Sequence, residues 1–381
     1  MKKARIQIVW KKGLNHMKKI VILPFLQMPS GHHQTANTLS AYLKEIDNSI
    51  QIKKIDIFQY TSRLAEQFTS SLYLKAIKIM PSFYSRLYHF NACRNDKAGK
   101  RYLFYELLFL KNMKRLIKQE KPDVLICTHC LPSYLLSLMK KRGHLSIPVI
   151  NAYTDYFINT VWGTESIDFH LVPSTEMKDF LKIRGVSHEK VAVTGIPVHP
   201  HITRKTLPSY NSRSGTQPFR VLVSGGNLGV GSIERIFKQV HFSGKIKYFV
   251  LCGKNEALFK KIEQLQCPFL QPISYISCRK EMNELYDQMD VVLSKPGGIT
   301  VSECLHKELP ICLLDALPGQ EEQNEKYLLE KKLAIKINID KLENSLLLFL
   351  ENELTRKVFQ KRLSEHMNQQ ESIKHVLKKF L

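Results

Sequence analysis

"LSKPGGITVSECL", residues 293–305, runs from an apolar strand-like stretch through Pro296-Gly297-Gly298 into a segment of helical period that carries a carboxylate at Glu303. Two accounts fit it. In the plainer one, DVVLS (290–294) is a buried strand, Pro-Gly-Gly is a turn, and Thr300-x-x-Glu303 is a capping box that satisfies free amides at a helix start. In the other, those free amides bind a phosphate, and the glycines let it approach the backbone.

The same strand–turn–helix step recurs on both sides. Upstream, KIVILPFL (19–26) reads as a strand, SGHHQ as a turn and TANTLSAYLKEI as a helix; IQIKKIDIF (50–58), DVLIC (123–127), IPVIN (147–151), FHLVP (169–173) and KVAVTG (190–195) are further strands. Residues 201–218 are polar and aperiodic, a linker. The rhythm restarts with FRVLVS (219–224), IKYFVLC (246–252), DVVLS and PICLL (310–314), then a helix over 320–332. Alternation of this kind predicts an α/β chain of two Rossmann-like domains, residues 17–200 and 219–350, whose parallel sheets face a central cleft. Residues 351–381 read as C-terminal helices that pack back on the first domain. Residues 1–16 form an N-terminal extension, because MKKIVILPF from Met17 looks like a fresh start into a first strand.

A second glycine loop, Ser224-Gly-Gly-Asn-Leu-Gly-Val-Gly231, also follows a strand and opens a helix. Its spacing is neither G-x-G-x-x-G nor a Walker A loop, which argues against NAD and ATP. Two such loops on one domain point to a diphosphate ligand, with Glu303 placed to accept hydrogen bonds from a ribose diol.

The formal charge of the 381-residue chain is +23, and residues 1–120 hold 22 Lys/Arg against 7 Asp/Glu. Such a field favours a polyanionic partner, a nucleic acid or an anionic membrane surface. Within residues 71–118, 11 Lys/Arg stand against 2 Asp/Glu, interleaved with tyrosines and phenylalanines. That mixture suits an interfacial helix on anionic lipid, with Lys111, Lys114, Arg115 and Lys118 as its basic contacts. No helix-turn-helix, zinc-finger or RNP signature accompanies it, so nucleic acid is not the expected partner. No apolar run approaches the ~18 residues of a membrane span, and IQIVW is too short for a signal segment. The expected location is therefore peripheral, on the cytoplasmic face of the membrane. Of eight cysteines, several lie in apolar strand-like runs, and Cys127-Thr-His-Cys130 is a lone CxxC without a second pair at zinc-site spacing.

"SGGNLGVGSIERI", "VLCGKN", "LSKPGGITVSECL" and "PGQEEQN", in that order, resemble the donor domain of the lipid-directed GT-B glycosyltransferases. That family includes bacterial processive diacylglycerol glucosyltransferases, plant monogalactosyldiacylglycerol synthases and, more distantly, the enzyme that adds N-acetylglucosamine to peptidoglycan lipid I. "PSGHHQTANTL", "YTDYFINTVW" and "VTGIPVHP" are similar to its acceptor-domain segments, so the resemblance spans roughly residues 17–335.

The resemblance implies a UDP-sugar donor bound in the second domain and a lipid acceptor in the first. By matching position, Gly225, Gly226 and Asn227 border the diphosphate; Ser294, Gly297, Gly298 and Thr300 bind phosphate oxygens; Glu303 holds the uridine ribose. Gln320, Glu321 and Asn324 face the sugar hydroxyls, the backbone at Tyr275 and Ile276 holds the uracil edge, and Lys254 lies near the nucleotide. His32 falls where the family places a histidine facing the acceptor, and Asp155 is the competing base. With no Asp-x-Asp motif, helix amides rather than a metal are expected to stabilise the departing diphosphate, and no cofactor beyond the UDP-sugar co-substrate is implied.

The expected reaction is inverting transfer of a hexose, from UDP-glucose or UDP-galactose, to diacylglycerol. The alternatives are a polyprenyl-linked or small-molecule acceptor, UDP-sugar epimerisation on a similar scaffold, and a basic nucleic-acid-binding protein.

Overall fold

Two six-stranded sheets, parallel throughout, account for the alternation. The structure is a computed structural model and describes residues 18–25, 30–57, 101–204, 217–225, 242–317 and 319–381. The first sheet contains β1 (Lys19–Leu23), β2 (Gln51–Lys54), β3 (Val124–Cys127), β4 (Val149–Ala152), β5 (Phe169–Val172) and β6 (Val191–Val193), in the order β2-β1-β3-β4-β5-β6. The second contains β7 (Phe219–Ser224), β8 (Ile246–Gly253), β9 (Leu270–Ser274), β10 (Val291–Ser294), β11 (Ile311–Leu313) and β12 (Ile335–Lys336), in the order β12-β11-β10-β7-β8-β9. Inner strands such as VLIC, VINA and VVLS are buried at every position, as expected for strands covered by helices on both faces.

Two strands escape the sequence pattern, β9 and β12. The first contains Pro272 and is half exposed, which an edge strand tolerates; the second is two residues long.

The helices connecting the first sheet are α1 (Gly31–Ile46), α2 (Leu103–Glu120), α3 (Cys130–Lys141) and α4 (Thr175–Ile183). Those of the second are α5 (Glu256–Gln264), α6 (Arg279–Asp287), α7 (Gly298–His306), α8 (Gln320–Glu330) and α9 (Leu342–Leu350); α10 (Glu353–Asn368) and α11 (Ile373–Lys378) close the chain. The last two clamp the domains together. Phe359 of α10 packs edge-on against Phe349 of α9, at 5.6 Å between centroids, in the second domain. Ile373, Val376, Leu377 and Phe380 are buried with Ile20, Ile22, Ala36 and Leu39 against the first sheet. Burial of side chains that size stabilises by about 1.5–3 kcal/mol each. Where the chain leaves the first domain, the fully buried Lys307 donates to Thr203 O (2.9 Å) and Asn283 Oδ1 (2.6 Å) and pairs with Asp287 (2.8 Å), so three partners offset its desolvation.

Strand order locates the cleft. In the first sheet the chain runs outward in opposite directions from the neighbours β1 and β3, and in the second from β7 and β10. Open α/β sheets bind ligands beyond the carboxyl ends of strands at such reversal points. The glycine loops leave from Ser224 and Ser294, which are register partners in adjacent strands, so they emerge side by side.

Candidate active site

On the first domain, the end of β1 leads into α1, which begins at Gly31, earlier than the sequence pattern suggested. His32 therefore sits in the first helical turn. A clasp from the end of β3 fixes it: the Thr128 hydroxyl donates to His32 O (3.0 Å), and His32 Nδ1 lies 2.8 Å from Thr128 O. A carbonyl can only accept, so the proton is on Nδ1 and Nε2 carries the free lone pair. Thr154 Oγ1 lies 3.1 Å from the same Nδ1 and directs its own proton to Asp155 Oδ2, at 3.3 Å. Burial lowers the His32 pKa, against an opposing pull from the Asp155 carboxylate, and so favours the neutral ring with its Nε2 lone pair.

A second imidazole, absent from the sequence reading, stands beside it. His129 caps α3 by accepting from Leu131 N (3.1 Å), stacks on Phe25 with centroids 4.4 Å apart and meets the His32 ring edge-on at 4.6 Å. Burial, with His32 as a second influence, holds its pKa well below the usual range. The only sequence signal was a histidine just before a helix start, inside the segment read as a lone CxxC. Burial pushes the Cys130 thiol there up to about 12, which keeps it protonated.

On the second domain, the buried strand of the plainer account stands as β10, but its capping box at Thr300-x-x-Glu303 does not form. Gly297, not Thr300, is the N-cap of α7, so Glu303 lies in the second turn, too far along to close a capping box. Its carboxylate is buried and takes hydrogen bonds from Arg279 Nη1 (3.1 Å) and Tyr286 Oη (2.9 Å). Burial raises its pKa, against the opposing pull of Arg279 and Tyr286. The N-cap Gly297 has no side chain to offer the first turn of α7, whose residues 298–300 are half-buried, and this is the electropositive end of the helix.

If Glu303 holds a uridine ribose, as the family resemblance implies, Glu303→Gln weakens UDP binding severalfold, measured by calorimetry, and in any case costs about 1–3 kcal/mol in stability, because Arg279 and Tyr286 lose a charged acceptor. A stability loss with unchanged UDP affinity would leave Glu303 only its Arg279–Tyr286 network.

Other candidate residues separate into two groups. Lys254, at the end of β8, sits 5.3 Å over the ring of Tyr275, just past β9; both are exposed, and Ile276 beside them is half-buried. At the start of α8, Gln320 is exposed, while Glu321 Oε2 accepts from Leu317 N (2.7 Å) and has its pKa raised by burial. Ser294 is buried at the tip of β10, and Gly225 is half-buried after β7. Gly226 and Asn227, with most of the 224–231 loop, lie outside the described residues, as do residues 1–16, much of the linker and residues 58–100 of the basic stretch.

The two halves meet across the cleft. A Cβ on Gly298 would run into the carbonyl oxygen of Thr154, and one on Gly31 would come within 3.2 Å of Ile299. The starts of α1 and α7 thus abut through glycine. Tyr156 enters the second domain, stacking on Tyr327 (5.0 Å, 8°) and donating to Ser302 Oγ at 2.8 Å, while Ser302 donates to Gly298 O. Asn324 is buried there and bonded to Asp155 and to Tyr156 N rather than open to the cleft.

On the outer side of the first domain, α2 buries Phe109, Met113 and Leu116 and turns Leu103, Leu107, Lys111, Lys114, Arg115 and Lys118 outward, with Leu107 83% exposed. Its start is held by Glu106, which accepts from Arg101, Arg142 and Tyr134; Arg101 is the main cause that brings its pKa down to about 2. Among the described residues no helix is long and apolar enough to cross a membrane.

Two parallel α/β domains facing one cleft, each with its reversal point at that cleft, define the GT-B class of glycosyltransferase. Residues 32–198 match the family model described as monogalactosyldiacylglycerol (MGDG) synthase, and residues 215–380 match the glycosyltransferase family 28 C-terminal domain. The chain is 38% identical over 370 residues to the uncharacterized glycosyltransferase YkoN of Bacillus subtilis (strain 168), covering 96% of this chain and 98% of that protein. It is 29% identical over 317 residues to a processive diacylglycerol beta-glucosyltransferase of Bacillus cereus (strain G9842), covering 82% and 80%. The crystal structure of the glycotransferase of kitacinnamycin matches 96% of this chain and 100% of its own with a TM-score of 0.62, a likeness of fold at 12% identity. The chain belongs to the lipid-directed GT-B glycosyltransferases, and is a glycosyltransferase of that family.

Proposed function

We propose that this glycosyltransferase moves a hexose, with inversion, from UDP-glucose or UDP-galactose to the hydroxyl of diacylglycerol at the cytoplasmic membrane surface. The observation that carries the reading is the meeting at Thr154 and Gly298, where a neutral imidazole of one domain is brought against an amide-bearing helix start of the other. His32 Nε2 takes the acceptor hydroxyl proton as the oxygen attacks the anomeric carbon. The bond from that carbon to the diphosphate breaks with its electron pair, and the free amides of α7 hold the resulting charge. No step needs a tightly bound metal. Lys254 and Tyr275 flank the nucleotide, and Gln320 and Glu321 face the sugar.

A lipid acceptor is favoured by α2, whose exposed leucines and four cations share the outer side of the acceptor domain. The relative named as a diacylglycerol glucosyltransferase points the same way. The test is a panel of labelled UDP-sugars with mixed membrane lipids, with and without chelator, scored for label entering the organic phase. Label in a glycosylated diacylglycerol supports the proposal; label only in a polyprenyl lipid, or in none, overturns it.

Changing Lys111, Lys114, Arg115 and Lys118 together to Gln should reduce binding to anionic vesicles, by about 1 kcal/mol per residue near the surface, and change turnover of detergent-dispersed acceptor much less. Equal wild-type binding to anionic and neutral vesicles would remove the electrostatic part of this docking.

A further inference from the structure

We propose that Asn324, on the donor domain, is a positioning residue for the acceptor-side base, orienting Asp155 and, through Thr154, the His32 ring when the cleft is closed. The inference rests on the transfer reaction proposed above.

Asn324 lies on α8 and is 1% exposed, yet its carboxamide is bonded entirely to groups of the other domain. Its Oδ1 accepts from Tyr156 N at 2.8 Å, and its Nδ2 donates to Asp155 Oδ1 at 3.0 Å. These partners settle which way the amide faces. A backbone N–H can only donate, and a carboxylate only accepts, so swapping the amide's two ends would break both bonds.

From there the chain of contacts is continuous. Asp155 Oδ2 accepts from Thr154 Oγ1 (3.3 Å), which lies 3.1 Å from His32 Nδ1. The imidazole proton is thus set by Thr128 and Thr154, Thr154 by Asp155, and Asp155 by a residue of the opposite domain. With the domains apart, Asp155 loses this donor and keeps the Thr154 hydroxyl, so the base is fully oriented only beside a seated donor domain. The resemblance to the family implied that Asn324 faces sugar hydroxyls. Its burial leaves that task to Gln320, which is exposed at the start of α8.

The test compares the wild type with Asn324→Ala and Asn324→Asp by steady-state kinetics, UDP calorimetry and amide exchange at Tyr156. Asn324→Ala should lower kcat, by up to about 10²-fold as expected for a misplaced catalytic group, with donor KM and UDP affinity unchanged, and should speed exchange of the Tyr156 amide. Asn324→Asp keeps an acceptor for that amide but turns a carboxylate towards Asp155; slow exchange should persist while kcat falls. Asn324→Ala should add nothing to the kcat loss of Asp155→Asn, because both act through one carboxylate. A raised donor KM with kcat intact would make Asn324 a sugar ligand and overturn the proposal. Unchanged Tyr156 exchange in Asn324→Ala would overturn it too. If the wild type transfers no sugar, the proposed reaction fails, and the exchange arm still supports or overturns the cross-domain contact.

Discussion

His32→Ala is expected to lower kcat by roughly 10²–10⁴-fold, the usual worth of a general base, with UDP affinity near wild type. The separation follows from position, since the imidazole sits on α1 of the first domain and the glycine turns proposed to hold the diphosphate belong to the second. The tautomer is set by Thr128 O, which holds the Nδ1 proton and leaves Nε2 basic. Burial lowers the His32 pKa from its ordinary 6.5, and a base must be deprotonated to act. The rate should therefore hold as pH falls to 6.5 and decline only below it. An acid limb above 6.5 in kcat/KM would contradict the buried, neutral ring. Asp155→Asn distinguishes the competing assignment: it lowers kcat as far as His32→Ala if the carboxylate is the base, by a smaller factor if it orients His32 through Thr154, and mainly raises acceptor KM if it only positions the acceptor. Near wild-type transfer by both variants would remove the base from this part of the cleft altogether.

The two glycines of the opening stretch should fail in different ways when substituted. Gly297 has φ −81° and ψ 148°, which any L-residue adopts, and among the described residues a Cβ there meets nothing within 4 Å. Its space is free for a ligand, so Gly297→Ala should leave the fold intact and sharply reduce UDP affinity. A Cβ on Gly298 points at the Thr154 carbonyl oxygen and comes within 3.2 Å of Ile196 Cδ1. Gly298→Ala should keep UDP binding on the donor domain but hold the domains apart, lowering kcat/KM by about 10²-fold, the order expected when reacting groups are displaced by an ångström. Wild-type turnover in Gly298→Ala would show that the close approach of α7 to Thr154 is not the productive arrangement. Unchanged UDP affinity in Gly297→Ala would place the diphosphate elsewhere.

Much of the fold was legible because its signals are local. KIVIL, VLIC, VINA and VVLS announce buried parallel strands by composition, and Ser-Gly-His and Pro-Gly-Gly mark where strands give way to helices. β9 and β12 were missed because an edge strand with an internal proline and a two-residue strand have no such signature. Helix starts were read late, at Thr35 for α1 and at Thr300 for α7: the cap of α1 is Ser30, inside the stretch read as a turn, and that of α7 is Gly297, which has no side chain to signal it. That error mattered at Glu303, whose capping-box role disappears once the helix begins at Gly298.

By itself, then, the sequence determined two parallel α/β domains, a pair of glycine turns at strand ends, a basic first half and a short set of candidate site residues. Each follows from patterns a few residues long, where backbone geometry and hydrophobic periodicity act. Tertiary structure alone decided which of those residues touch. Thr154 reaches His32 across 122 positions within the first domain and Asn324 reaches Asp155 across 169 between the domains, and no local periodicity encodes contacts so distant along the chain. The same holds for Gly298, whose missing side chain is explained by a carbonyl in the other domain, and for Glu303, whose carboxylate is claimed by an arginine and a tyrosine of α6. The proposed chemistry of this cleft belongs to neither domain alone, because the candidate base lies on one, the glycine-led helix start lies on the other, and an asparagine is bonded across the gap between them.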